Sequence, residues 1–181
     1  MSPHTQRFID YLIPLPKKDR GALAILRHSL AFEPGAYQKA FPYVERFVKA
    51  DCHERDARRL ALYAVAALFA RHPEHRPQSF AAAFGALFRQ RKSPSIELRF
   101  VALLGADAEN IFDYLRQAMS LLAADKIGCD YARLLDDLTI WMDPRATRLD
   151  HLRQRWARDF YRAAEADTDT ATPPSAEVKE D

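Results

Sequence analysis

The stretch Asp56-Ala-Arg-Arg-Leu-Ala-Leu-Tyr-Ala-Val-Ala-Ala-Leu-Phe-Ala-Arg71 decides the fold. It is rich in alanine, holds no glycine or proline, and reads as one long helix. Its run from Leu60 to Ala70 is the longest apolar stretch in the chain and stops at Arg71-His72. A membrane-spanning helix needs roughly 18 such residues or more, so this helix belongs to a protein core.

Outward from it, the same signals repeat. The chain of 181 residues has only 5 glycines, and alternating β-branched runs are missing. Apolar residues recur three and four apart nearly everywhere, which predicts helices throughout. Pro14 and Pro16 end a first helix near Thr5 to Leu12. Asp19 or a neighbour opens a second with Leu23, Leu26 and Leu30, closed by Pro34-Gly35. Tyr37, Phe41, Val44 and Val48 form a third stripe, bent or broken at Pro42. After the Asp56–Arg71 helix, Pro73 and Pro77 punctuate, and Phe80, Phe84, Leu87 and Phe88 mark a fifth. A sixth runs Ile96 to Leu104, capped by Ser93 or Ser95, and Gly105 ends it. A seventh runs Ala108 to Ala124, capped by Asp107. An eighth runs Tyr131 to Met142, capped by Asp130, and a ninth runs roughly Thr147 to Ala163. The expected fold is an all-α, compact multi-helix bundle of about nine helices, in one body or two packed lobes.

Charge divides the chain unevenly. The whole carries 27 Lys+Arg against 25 Asp+Glu, net +2. Residues 163–181 hold Lys179 against six acids and almost nothing apolar enough to bury, and are expected to be a disordered acidic tail. Residues 1–162, the expected helical domain, then carry +7, and 20 of the 27 bases are arginine. The planar guanidinium grips phosphate bidentately, so such a body suits nucleic acid, although it is equally the composition of a solvated surface.

Cys52 and Cys129 lack C-x-x-C spacing, and Met1 to Leu15 mixes His4, Arg7 and Asp10 into its apolar residues rather than forming a signal peptide. A reduced, cytoplasmic protein is expected.

Catalytic patterns are missing: no G-x-x-x-x-G-K-[ST], no G-x-G-x-x-G, no H-E-x-x-H and no G-x-S-x-G. His72-Pro-Glu-His75 has no evident third ligand for a metal. Asp136 and Asp137, adjacent on a helix, point about 100° apart and do not converge as a dyad; Asp137 is expected to pair with Arg133 one turn back. No enzyme, cofactor or metal is expected.

The basic residues offer more. On the last helix Leu149, Leu152, Trp156 and Phe160 form a core-facing stripe, flanked by Arg148, Arg155 and Arg162 with Arg158 just beyond. That flank can follow phosphates or be a solvated face partly neutralised by Asp159. Arg89, Arg91 and Lys92 cluster before a helix start, where free N–H groups favour an anion, or else they are a basic cap on the fifth helix. The sixth helix is apolar almost all round and must be buried or sit at a protein interface, and Arg99 is its main base.

Five strings in order then carry a resemblance: Asp19-Arg-Gly-Ala-Leu-Ala-Ile-Leu-Arg-His28, Ser95-Ile-Glu-Leu-Arg-Phe-Val-Ala-Leu-Leu104, Leu115-Arg-Gln-Ala-Met-Ser-Leu-Leu122, Asp130-Tyr-Ala-Arg-Leu-Leu-Asp-Asp-Leu138 and Trp156-Ala-Arg-Asp-Phe-Tyr161. Together, over roughly Lys17 to Tyr161, the chain resembles the CasB family, the small subunit of the type I-E CRISPR Cascade complex. The resemblance implies an all-α, non-catalytic subunit without cofactors. It implies two copies in Cascade, lying along the Cas7-type backbone and beside the large subunit. It also implies contact with the target strand and retention of the displaced strand of the R-loop by basic residues, without sequence readout. Arg27, Arg99, Arg116, Arg145 and Arg148 match the family's basic positions. His28 stands where a second arginine is usual, Ser120 where a base is common, and Tyr131 where Trp is frequent. The first two thin the charge, with Arg155 and Arg158 as the expected compensation. The alternative is a protein-binding adaptor without nucleic-acid contact. The strand-holding role requires guanidinium groups from separate helices to converge.

Overall fold

The computed structural model describes residues 2–166. The described chain is all-α, with one isolated bridge between His75 and Cys129 and no strand among the described residues. The elements are α1 (Pro3–Leu12), α2 (Leu15–Lys18), α3 (Arg20–His28), α4 (Phe41–Val44), α5 (Ala57–Arg71), α6 (Phe80–Arg91), α7 (Pro94–Leu104), α8 (Ile111–Ala124), α9 (Tyr131–Trp141) and α10 (Leu149–Glu165). Two of these, α2 and α4, are single turns, and α4 is flanked by 3-10 turns at Gln38–Ala40 and Glu45–Phe47. Proline explains both short pieces: Pro16 and Pro42 sit at the start of their turns, where a missing N–H costs nothing.

The deciding helix is the centre of the molecule. Every residue of α5 from Ala61 to Ala70 is buried, with α3, α8 and α9 packed around it. Its alanines let those neighbours approach closely, and a helix apolar on all sides must be surrounded. Buried side chains from Phe8 to Phe160 form one continuous core.

The C-terminal helix seals the second half of that core. α10 lies along α6, the most extensive helix pairing in the fold. Gly85 of α6 makes this possible: a Cβ there would strike the Phe160 carbonyl oxygen and sit 3.1 Å from the Ala163 Cβ. Phe100 of α7 stacks on Phe160 with centroids 4.0 Å apart at 8°, and Phe80 meets Trp156 at 5.2 Å. The expected core stripe holds at Leu152, Trp156 and Phe160, while Leu149 is half-buried.

Capping follows the sequence at several ends. Asp19, Asp56 and Asp130 accept hydrogen bonds from the first backbone N–H groups of α3, α5 and α9. Several boundaries differ from expectation. The second expected helix ends early: α3 stops at His28 and tightens into a 3-10 turn at Ser29–Ala31, which holds Leu30, before Pro34-Gly35 is reached. α8 begins at Ile111 rather than Ala108, because the Asp107 carboxylate caps the preceding turn at Glu109 and Asn110. Ser93 heads α7 without capping it; its hydroxyl meets that of Ser95 at 2.9 Å. α10 continues through Ala163 to Glu165, and Arg89 donates to the Ala163 carbonyl at 2.6 Å, satisfying an end-of-helix acceptor. The remainder of the acidic tail, 167–181, lies outside the described residues.

Candidate nucleic-acid interface

The buried core fixes where the arginines emerge. Arg27, in the last turn of α3, reaches across to α5, and its Nε donates to the Ala70 carbonyl at 2.9 Å. Arg71, the next residue of α5, directs its Nε to Ser120 Oγ of α8 at 3.3 Å. Ser120 Oγ in turn donates to the Arg116 carbonyl at 2.9 Å. Arg116 closes the circuit, donating from Nη1 to the Leu30 carbonyl just after α3 at 2.7 Å. Three guanidinium groups from three helices are thus tied into one patch by backbone and hydroxyl acceptors.

The acceptors matter for charge. A carbonyl or hydroxyl orients a guanidinium without cancelling it. Among the described residues, Arg116 alone of the three also has a carboxylate, Asp113, at 2.8 Å, and that pair is exposed, so its worth is small, on the order of 0–1 kcal/mol. Each of the three keeps donors for an outside anion, since a guanidinium carries about five.

Arg71 was missed by the sequence reading, which treated it only as the end of an apolar run. The signal that could have found it is Ser120. Where the resemblance expects a base on α8, the chain has a short hydroxyl, and the Arg71 guanidinium reaches it from α5.

The other expected site residues fall elsewhere. Arg91 is held bidentate by Asp125, both contacts at 2.7 Å, and the guanidinium keeps that carboxyl below its ordinary value. Arg89, half-buried, is drawn to α10 as described. Lys92 ends α6 in left-handed backbone, φ 49°, with an exposed side chain. Arg99 and Arg158 are exposed on α7 and α10. Arg145 and Arg148, exposed in the α9–α10 connection, line an open cleft of about 1040 Å³ together with Arg55, Asp56, Asn110 and Asp113.

Arg155 corrects two expectations. Its guanidinium is engaged by the Asp137 carboxylate, whose other oxygen accepts the Trp156 indole N–H at 2.6 Å. Burial pushes the Asp137 carboxyl up from its ordinary value, and these two donors pull the other way. Asp137 therefore faces α10 rather than pairing with Arg133, which lies 3.5 Å from Asp159. Arg155 is thus paired to a buried carboxylate at the rim of the core, where it was expected to stand as a free surface charge, and the base found beside Ser120 is Arg71.

The α7 expectation resolves by face. Ile96, Phe100 and Leu103 are buried, but Leu98 is 70% and Val101 52% exposed. His72 and His75 are structural: His72 Nε2 meets the Ile127 carbonyl at 2.9 Å, and His75 Nδ1 lies 3.4 Å from the Tyr131 amide. Among the described residues no group of three or more His, Cys, Asp or Glu is placed to hold a metal, and no helix is long and apolar enough to cross a membrane.

Fold and surface together define a small all-helical protein that gathers arginines from three helices into one patch. The family model for CRISPR-associated protein Cse2 matches residues 22–161, and the chain belongs to that family. It is 43% identical over 166 residues to the CRISPR-associated protein Cse2 of Thermus thermophilus, covering 90% of this chain and 92% of that one. The crystal structure of CasB from Thermus thermophilus superposes with a TM-score of 0.73 at 43% identity, covering 89% of this chain and 99% of that chain. A chain of a CRISPR RNA-guided surveillance complex superposes with a TM-score of 0.75 at 22% identity over 90% of this chain and 94% of its own, a likeness of fold.

Proposed function

We propose that this protein is a non-catalytic subunit of a cytoplasmic CRISPR RNA-guided surveillance complex that holds nucleic-acid backbone without reading sequence, and so stabilises the target and displaced strands of the R-loop. The observation that carries this reading is the gathering of Arg27, Arg71 and Arg116 from α3, α5 and α8 by carbonyl and hydroxyl acceptors, with the solvent-screened Asp113 carboxylate beside Arg116 as a weak counter-charge. Exposed Lys92, Arg99, Arg145, Arg148 and Arg158 add positive charge around the body. Phosphate binding of this kind releases counterions and needs only charge and reach. Guide pairing reads the sequence, so the subunit has none to read. Its partners are the Cas7-type backbone, the large subunit and a second copy of itself.

One observation favours a second reading, an adaptor that binds protein alone. Leu98 and Val101 present an apolar face of α7 outward, as a subunit contact requires. Titrating the full chain with labelled single-stranded DNA and RNA across salt separates the two. The strand-holding reading predicts binding at low salt that weakens steeply as salt rises. No binding at the lowest salt leaves the adaptor.

A further inference from the structure

Beside the arginine patch lies a group of rings that the backbone-holding role does not use. His28 ends α3 directly after Arg27, and Phe32 follows Leu30, whose carbonyl anchors Arg116. The chain then turns back through Glu33 to Ala36, joined by a 3.0 Å backbone hydrogen bond, with Gly35 at φ 83°. This turn delivers Tyr37 onto Phe32: the two rings stack with centroids 4.7 Å apart at 16°. His28 borders both, 5.7 Å from Phe32 and 5.1 Å from Tyr37, tilted against each. Phe32 nevertheless remains 40% exposed.

A phenylalanine that only closed a loop would be expected to turn its ring inward. Here one face is backed by Tyr37 and the ring stays at the surface, a short way along the chain from Arg27 and from the Leu30 carbonyl that holds Arg116. We propose that Phe32 is a stacking platform for an unpaired base of the strand whose phosphates are held by Arg27 and Arg116. The inference rests on the strand-holding reading above and narrows it to single-stranded nucleic acid, because bases inside a duplex have no free face to offer. Aromatic stacking is tolerant of sequence, since every base has a π-face, and so agrees with a subunit that does not read it. Glu33, exposed and next in the chain, disfavours phosphate beside its own carboxylate. The strand's backbone accordingly runs on the arginine side with its base over Phe32.

The test compares two labelled single strands of about 15 nucleotides, oligothymidylate and an abasic strand of equal length, with the full chain at low salt. The thymidylate strand should bind about fivefold or more tightly than the abasic one. Phe32→Leu, which keeps apolar packing in the loop, should bring that ratio to near one without weakening the abasic strand; Phe32→Trp should preserve it. Equal affinity of the natural chain for both strands, or a ratio that survives Phe32→Leu, overturns the platform while leaving backbone holding intact. Failure of both strands to bind overturns the two readings together.

Discussion

Arg71 of α5 and Ser120 of α8 are joined by a 3.3 Å contact from guanidinium Nε to hydroxyl oxygen. At the position where the family resemblance places a base on α8, the guanidinium present comes from α5. The contact depends on Ser120 being short, so that a side chain leaving the end of the buried α5 can reach across it. The central helix, whose alanines organise the core, thus ends in a residue of the proposed arginine patch.

Gly85→Ala tests the packing that positions the C-terminal half. The added methyl meets the Phe160 carbonyl, a backbone atom that cannot swing aside, so α6 and α10 must separate. Overpacking of this kind costs about 1–3 kcal/mol. The expected outcome is a lower denaturant midpoint with an unchanged slope, measured by circular dichroism.

Asp137→Ala removes the acceptor shared by Arg155 and the Trp156 indole. The indole N–H then stays buried without a partner, at a cost of about 2 kcal/mol or more. Arg155→Ala should likewise lower stability while leaving single-strand affinity nearly unchanged, because its charge is matched by a buried carboxylate that solvent does not screen, unlike the exposed Asp113 beside Arg116. Equilibrium unfolding and anisotropy titration of the same variants check both parts.

Asp56 gives the fold an acid limb. Its hydrogen bonds from Arg58, with the α5 backbone N–H added, hold its carboxyl down from the ordinary 3.8 to about 2. A carboxyl depressed on folding contributes stability that is present above the unfolded value and lost as pH falls through the folded one. Melting temperature should therefore drop between about pH 4 and pH 2. Asp56→Asn, which keeps the helix cap but not the charge, should flatten that drop, as thermal melts across the range would read.

Leu98→Gln with Val101→Gln addresses assembly. Both positions are exposed, and surface changes of this kind alter stability by about 0.5 kcal/mol or less. The pair should leave the melt nearly unmoved and weaken co-purification with the partner subunits.

Much of the fold was legible because its punctuation is local. Asp19, Asp56 and Asp130 announce helix starts through side chains that bond the next turn, and Pro16 and Pro42 shape short turns through a fixed φ. The site was legible only in part. Arg27 and Arg116 are visible in their strings, but their convergence depends on contacts 43 and 86 residues apart in sequence. Arg155 looked like a surface base on the wheel; the Asp137 carboxylate that engages it comes from α9, beyond what the periodicity of α10 reveals. Arg71 belonged to no string, and the Phe32–Tyr37 stack depends on a turn whose closure the sequence only hints at through Pro34-Gly35.

The most direct measurement is the salt dependence of single-strand binding for the full chain carrying Arg27→Ala, Arg71→Ala and Arg116→Ala. A control should carry Lys17→Ala, Lys18→Ala and Arg46→Ala, three exposed bases outside the patch. Each phosphate contact contributes a slope of about −0.7 in log affinity against log salt. The arginine patch predicts that the first variant loses affinity and flattens by about three such contributions, a slope change of about 2, while the control keeps nearly the natural slope. Equal losses in both variants, or an unchanged slope in the first, would contradict it.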